Sequence, residues 1–185
     1  FFSNKGKVYS EKAYRIPESG RAQRGTLIQS VLPLDQDERI TAVLPVTSFE
    51  LEGWYLVMAT KHGRIKRVHL HEFAEVRPSG LIAMMLNQGD YLGWVKYSNG
   101  NQDIVMVTEQ GQSIRFHERD VRVMGRPAGG VNGIKLAPDD LAAGMDVIEE
   151  DHTHILVVTR NGFGKRTPVA QYPLQGRYGL GVRPL

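Results

Sequence analysis

A unit of roughly fifty residues recurs along this chain, and that periodicity constrains the fold more than any other feature, because a period in this range marks an array or a propeller-like set of blades. Each copy carries an apolar strand, a turn with one glycine, and a basic segment. Phe1-Phe2-Ser3-Asn4-Lys5-Gly6-Lys7-Val8-Tyr9 is echoed by Val57-Met58-Ala59-Thr60-Lys61-His62-Gly63-Arg64-Ile65-Lys66-Arg67. Met106-Val107-Thr108-Glu109-Gln110-Gly111-Gln112-Ser113-Ile114-Arg115 and Val157-Val158-Thr159-Arg160-Asn161-Gly162-Phe163-Gly164-Lys165-Arg166 complete the series. The anchor glycines stand at 6, 63, 111 and 162.

Each unit reads as four short strands. The first is a β-branched, apolar run such as Tyr55-Leu56-Val57-Met58-Ala59-Thr60 or Ile104-Val105-Met106-Val107-Thr108. The turn glycine supplies the positive φ of a tight hairpin. The returning strand alternates, so period two predicts Ile65 inward with Arg64 and Lys66 in solvent. A loop rich in Arg and Gly follows, then two more strands, predicted over 81–86 and 91–95 in the second copy. Asn87-Gln88-Gly89-Asp90 joins them, and Ala137-Pro138-Asp139-Asp140 and Leu34-Asp35-Gln36-Asp37 match that turn. With no amphipathic helix pattern, the expectation is an all-β, propeller-like array of four-stranded blades. The units are bounded at 1–46, 47–99, 100–147 and 148–185, about three and a half blades in one repeat domain. The chain opens and stops inside a repeat, so a longer parent polypeptide is expected.

Composition narrows the chemistry. No cysteine is present, which removes disulfides and thiolate metal sites. No apolar run approaches the ~18 residues of a bilayer span, and the amino terminus has no signal-peptide pattern. Gly162-Phe163-Gly164-Lys165-Arg166-Thr167 lacks the earlier glycine and the Ser/Thr after lysine that a phosphate loop needs. Gly176-Arg177-Tyr178-Gly179-Leu180-Gly181 precedes no helix pattern, so it does not make a dinucleotide site. His69/His71 and His152/His154 are candidate metal pairs without a recurring third ligand, and solvated strand positions explain them as well. Asp35/Asp37 and Asp139/Asp140 fall at one repeated turn and read as turn formers. No activated nucleophile is evident, so the chain is expected to have no catalytic residues, no metal and no cofactor of its own.

Net charge is +3, distributed as +2, +1, −2 and +2 over the four units. The arrangement is more informative than the total. Lys5/Lys7, Arg64/Lys66/Arg67, Arg115 and Lys165/Arg166 occupy one repeated station, and Arg21/Arg24, Arg77, Arg122/Arg126 and Arg177 a second. One such cluster reads as a solvated strand face. Repetition along a blade array converts it into a basic track fit for a bent polyanion, with sequence-independent, salt-sensitive affinity. The net-negative unit 100–147 is expected to hold such a ligand loosest. A protein-interaction propeller is the rival of a different class, with Trp54 and Trp94 as candidate hot spots.

Gly6-Lys7-Val8-Tyr9-Ser10, Tyr14-Arg15-Ile16-Pro17-Glu18, the block from Leu32 to Val46, Asn161–Thr167 and Tyr172-Pro173 resemble the carboxy-terminal domain family of the bacterial DNA gyrase A subunit, over essentially all 185 residues. The resemblance implies a β-pinwheel whose basic rim wraps double-stranded DNA, as a non-catalytic module of a type II topoisomerase that introduces negative supercoils. It also implies, as partners, the gyrase B subunit together with the rest of the A subunit in an A2B2 holoenzyme, with ATP and Mg belonging to that holoenzyme alone. The implied setting is the bacterial cytoplasm, at the nucleoid. The equivalent domain of topoisomerase IV is the alternative within the family. The family's Gln-Arg-Arg-Gly-Gly-Lys-Gly box is absent here, Gln23-Arg24-Gly25 being only a related loop, and its expected place is upstream of Phe1. None of the tyrosines matches the family's catalytic one.

Overall fold

The computed structural model describes residues 1–183, so Pro184 and Leu185 of the unit 148–185 lie outside the described residues. Among the described residues there are thirteen strands: β1 (Phe2–Ser3), β2 (Lys7–Val8), β3 (Ile40–Ala42), β4 (Tyr55–Thr60), β5 (Arg64–His69), β6 (Leu81–Ile82), β7 (Leu92–Ser98), β8 (Asp103–Thr108), β9 (Ser113–His117), β10 (Val131–Asn132), β11 (Ala142–Ile148), β12 (His154–Val158) and β13 (Gly164–Pro168). They form antiparallel sheets ordered β3-β1-β2-β6, β10-β5-β4-β7, β11-β8-β9 and β12-β13. Among the described residues the helical content is limited to short 3-10 turns, and no helix is long and apolar enough to cross a membrane.

The sheets do not coincide with the sequence units, because the second and third units each place their third strand in the preceding sheet. Lys7 and Val8 pair with Ile82 and Leu81, and Arg64 and Ile65 with Asn132 and Val131. An isolated bridge, Ser113 to Val182, repeats the exchange. The third strand of the second copy is two residues long rather than six. Beyond Ile82 the chain folds over the first hairpin turn instead, with Ala83 N and Met84 N both donating to the Gly6 carbonyl at 2.8 and 3.0 Å.

The first three sheets pack face to face in succession, which accounts for the continuous apolar character of β4, whereas Leu156 and Val158 of the equally apolar β12 are exposed. In β4, Leu56 and Met58 enter a core with Phe2, Val8, Phe73 and Val95, whereas Val57 and Ala59 enter a second core with Ile104, Met106, Phe116 and Val147. A strand covered on both sides needs apolar residues at consecutive positions.

The turns follow their sequence signals. Gly6, Gly63, Gly111 and Gly162 have φ of +73°, +75°, +83° and +85°. Asp90 Oδ1 accepts from His62 N at 2.9 Å and from Tyr91 N at 2.8 Å, and Asp140 Oδ1 does the same for Gln110 N and Leu141 N at 3.1 and 2.9 Å. Asp37 and Asp139 hold the left-handed conformation, which Asp tolerates. Tyr178 is the third non-glycine residue there, at φ +66°. A bulky side chain in that region costs roughly 1–3 kcal/mol.

Strand exchange demands close backbone approach at Gly130, where φ is +76° and an added Cβ would lie 2.5 Å from the Ile65 carbonyl oxygen. A Gly130→Ala variant combines that clash with an unfavourable φ. We expect a loss of about 2 kcal/mol or more, read as a lower denaturant midpoint in equilibrium unfolding.

Candidate nucleic-acid interface

The basic residues of the two repeated stations separate into three environments. Lys66 and Arg67, on β5, are buried rather than solvent-facing. Lys66 is 0% exposed, and its Nζ donates to the carbonyls of Ala83 at 2.6 Å and Ala128 at 3.1 Å, to Gly125 at 3.5 Å, and to Arg126. Arg67 donates from Nη1 to Glu118 Oε2 at 3.0 Å and from Nε to the Val121 carbonyl at 3.1 Å, with its guanidinium over the Tyr55 ring at 4.8 Å. Glu118 also accepts from Ser98 Oγ and, at 2.8 Å, from Gln102 N. The expectation that Arg64 and Lys66 face solvent while Ile65 is buried fails for Lys66. Alternation exposes one face of a strand only when that face lacks a neighbour, and here the adjoining units cover both.

A second group is half-buried and bridges units. Arg64 donates from Nε to the Gly129 carbonyl at 2.9 Å and also reaches Gly130 and Asn132. Arg115, the repeat counterpart of Arg67, donates to the carbonyls of Val169 at 3.1 Å and Tyr172 at 3.2 Å while its Nη2 pairs with Asp103 at 2.6 Å. Val121 and Tyr172 each follow the short 3-10 turn of the next unit, so the two arginines make the same joint. Arg126 and Arg177 are likewise counterparts. Arg126 donates to the Ile82 carbonyl at 2.7 Å, and Arg177 donates to Asn132 and, at 3.0 Å, to Asp120. Lys7 pairs within its own unit with Asp35 at 2.5 Å.

The third group stands in solvent: Lys5, Arg21, Arg24, Arg77, Arg122, Lys165 and Arg166. Lys5 donates to the Gln36 carbonyl at 2.6 Å, and Arg166 contacts His154 Nδ1 at 3.2 Å. Among the described residues, seven further exposed cations, Lys12, Arg15, Arg39, Arg119, Lys135, Arg160 and Arg183, lie outside both repeated stations. Sequence reasoning passed over them because each lacks a basic counterpart in most other units.

The other candidate residues have structural surroundings. The His69 and His71 rings stack at 5.1 Å, with Tyr55 4.7 Å beyond His69. His152 Nδ1 accepts from Glu149 N at 3.1 Å. Glu149, Asp151 and His152 sit close together, all exposed. Trp54 meets Tyr97 edge-on at 6.2 Å, and the Lys61 ammonium lies 5.0 Å over the half-buried Trp94 ring.

Several shifted groups report on the joints. Burial, followed by the Glu38 carboxylate 2.9 Å away, pushes the Tyr9 phenol up to about 12. Burial pulls the Lys66 ammonium from 10.5 down to about 8, opposed by Glu72 and assisted by Arg126. The unfolded chain thus holds the Lys66 proton to a higher pH than the folded one. Stability gains from this group as pH rises from about 8 towards 10.5, and that gain is lost as pH falls back through about 8. We expect the melting temperature of the wild type to rise relative to Lys66→Met across that interval, and the difference to be flat below it, in parallel thermal scans. Truncating Arg67 to Met leaves the Glu118 carboxylate buried without its cation and should cost about 3–5 kcal/mol, measurable by chemical denaturation.

Comparison with known proteins agrees with this architecture. The family described as the DNA gyrase C-terminal domain, beta-propeller, matches residues 1–47, 55–95, 102–149 and 153–183. The DNA gyrase A subunit of Escherichia coli (strain K12) is 45% identical over 181 residues, covering 98% of this chain and 20% of that protein. Its counterpart in Staphylococcus epidermidis (strain ATCC 12228 / FDA PCI 1200) is 42% identical over 184 residues, covering 99% of this chain and 21% of the relative. The chain therefore spans about a fifth of the relatives it matches. Among solved structures, the C-terminal domain of DNA topoisomerase IV superposes with a TM-score of 0.89 at 27% identity, over 98% of this chain and 56% of that one. The DNA gyrase A C-terminal domain superposes with a TM-score of 0.82 at 26% identity, over 98% and 57%.

Proposed function

Because the chain belongs to the DNA gyrase C-terminal domain family, we propose that it is a non-catalytic module that binds and wraps duplex DNA for a type II topoisomerase. The observation that carries this reading is the recurrence of solvent-facing arginines on one loop in successive units, Arg21/Arg24, Arg77 and Arg122, beside the strands that tie one unit to the last. Such side chains neutralise phosphates without reading bases. A duplex held at successive stations is bent, and the phosphate contacts offset an elastic cost of several kcal/mol. Basic side chains buried between units hold the stations in order, and the exposed ones meet the ligand. Lys66 and Arg67 are therefore withdrawn from the DNA-contacting set.

In this reading the parent enzyme works in the bacterial cytoplasm on the nucleoid, with ATP, Mg, a B subunit plus the remainder of the A subunit. The close superposition on the topoisomerase IV domain favours a second reading, in which the same rim serves that enzyme. The 42–45% identity to gyrase A subunits supports gyrase. Supercoiling of relaxed plasmid by the assembled parent enzyme, against relaxation or decatenation only, separates the two.

The module itself is tested by anisotropy titration of random-sequence duplexes. Affinity should fall steeply between about 50 and 200 mM salt, and a flat response would exclude the proposal. Arg77→Gln combined with Arg122→Gln should lower the salt slope by about one for each phosphate no longer neutralised. The melting temperature should stay nearly constant, since exposed charges contribute at most about 1 kcal/mol each.

A further inference from the structure

The net charge of −2 carried by residues 100–147 does not describe the surface those residues present. Asp103 pairs with Arg115, Glu118 with Arg67, Asp146 with Lys96 at 3.0 Å, and Glu109 lies 3.9 Å from Lys61. Asp140 caps the turns at Gln110 and Leu141. The exposed acids left unengaged by these contacts are Asp120 and Asp139, whereas Arg119, Arg122 and Lys135 are all exposed.

The chain segments that carry these three cations meet one loop of the following unit through their backbone. Arg177 donates to the carbonyls of Asp120, between Arg119 and Arg122, and of Asn132, at the end of β10. Tyr178 N donates to the Gly133 carbonyl at 2.8 Å, and Lys135 N donates to the Gly179 carbonyl at 3.2 Å. Backbone bonds on both sides thus fix Tyr178 at φ +66°. The conformation suits glycine, yet an aromatic residue occupies it with 47% of its surface exposed. Alanine, arginine and proline stand at the corresponding places, Ala22, Arg77 and Pro127. The tyrosine is strained and half in solvent, so burial does not account for it, and an unfavourable backbone retained on an exposed tip points to a ligand.

We propose that Tyr178, on a loop fastened to the segments that carry the exposed Arg119, Arg122 and Lys135, is an aromatic contact to the minor groove of duplex DNA that kinks the duplex at this unit. Aromatic and apolar side chains that enter the minor groove open a base step and kink the duplex, while flanking cations hold the phosphates on either side. The site carries no base-reading group, in keeping with sequence-independent binding. It rests on the DNA-binding reading given above.

The test compares Tyr178→Gly, Tyr178→Ala and Tyr178→Phe in the same chain. Affinity for a random-sequence duplex is measured by anisotropy, bending by energy transfer between end-labelled dyes, and folding by thermal melts. The Gly variant should melt at or above the wild-type temperature because its backbone is relieved, yet bind about 3- to 10-fold more weakly, the scale of one aromatic contact, and bend the duplex less. The Ala variant should bind as weakly without the gain in melting temperature. Phe should behave as the wild type. Arg119→Gln with Lys135→Gln should lower the salt slope. If the wild type binds duplex and the Gly and Ala variants bind and bend it equally well, the proposal is wrong while the module's function stands. If the wild type binds no duplex, both fall together.

Discussion

Burial of both faces of the β10-β5-β4-β7 sheet, between the sheets before and after it, is the constraint on which the rest of this structure depends. A strand with one wet face can carry charge on it freely. When stacked sheets cover both, every residue must be apolar or find a partner across the joint. That requirement explains the unbroken apolar run of β4, the carbonyl cage around Lys66 and the Arg67–Glu118–Ser98 cluster. The same station is filled in three chemically different ways. Tyr9 hydrogen-bonds Glu38, Lys66 enters the carbonyls, and Ile114 packs in the second core. The geometry of the joint is held, while the chemistry that satisfies it varies.

Strand exchange is the second consequence. The unit that recurs in sequence is not the unit that packs, because its third strand completes the sheet before it. Adjacent sheets are therefore joined by backbone pairing as well as by side-chain contact. The glycine-lined approaches at Gly6 and Gly130, where an added Cβ would meet a neighbouring carbonyl at 2.3 and 2.5 Å, mark where main chains cross.

Much of this was legible in the residues. The period, the turn glycines with their positive φ, the role of Asp90 and Asp140 in the second turn, and the all-β class follow from patterns that act locally. What sequence could not reveal was which side of a strand has a neighbour. Arg64, Lys66 and Arg67 look alike as a string, yet one is half-exposed and two are buried between units. Regional charge does not describe the surface of 100–147 for the same reason, since Asp103 and Glu118 are neutralised by partners that only folding brings near. Exposed cations such as Lys135 had no repeated counterpart to draw attention to them.

The edge strands β6 and β10 are each two residues long, and the terminal carbonyl of each, on Ile82 and Asn132, accepts a guanidinium from the next unit, Arg126 or Arg177. A sheet edge left open is a template on which another chain can add a strand, and short, charge-guarded edges remove that opportunity. At these two edges a strand from another molecule finds little backbone to pair with. The arginines that fasten one unit to the next thus also close these two edges to a further strand.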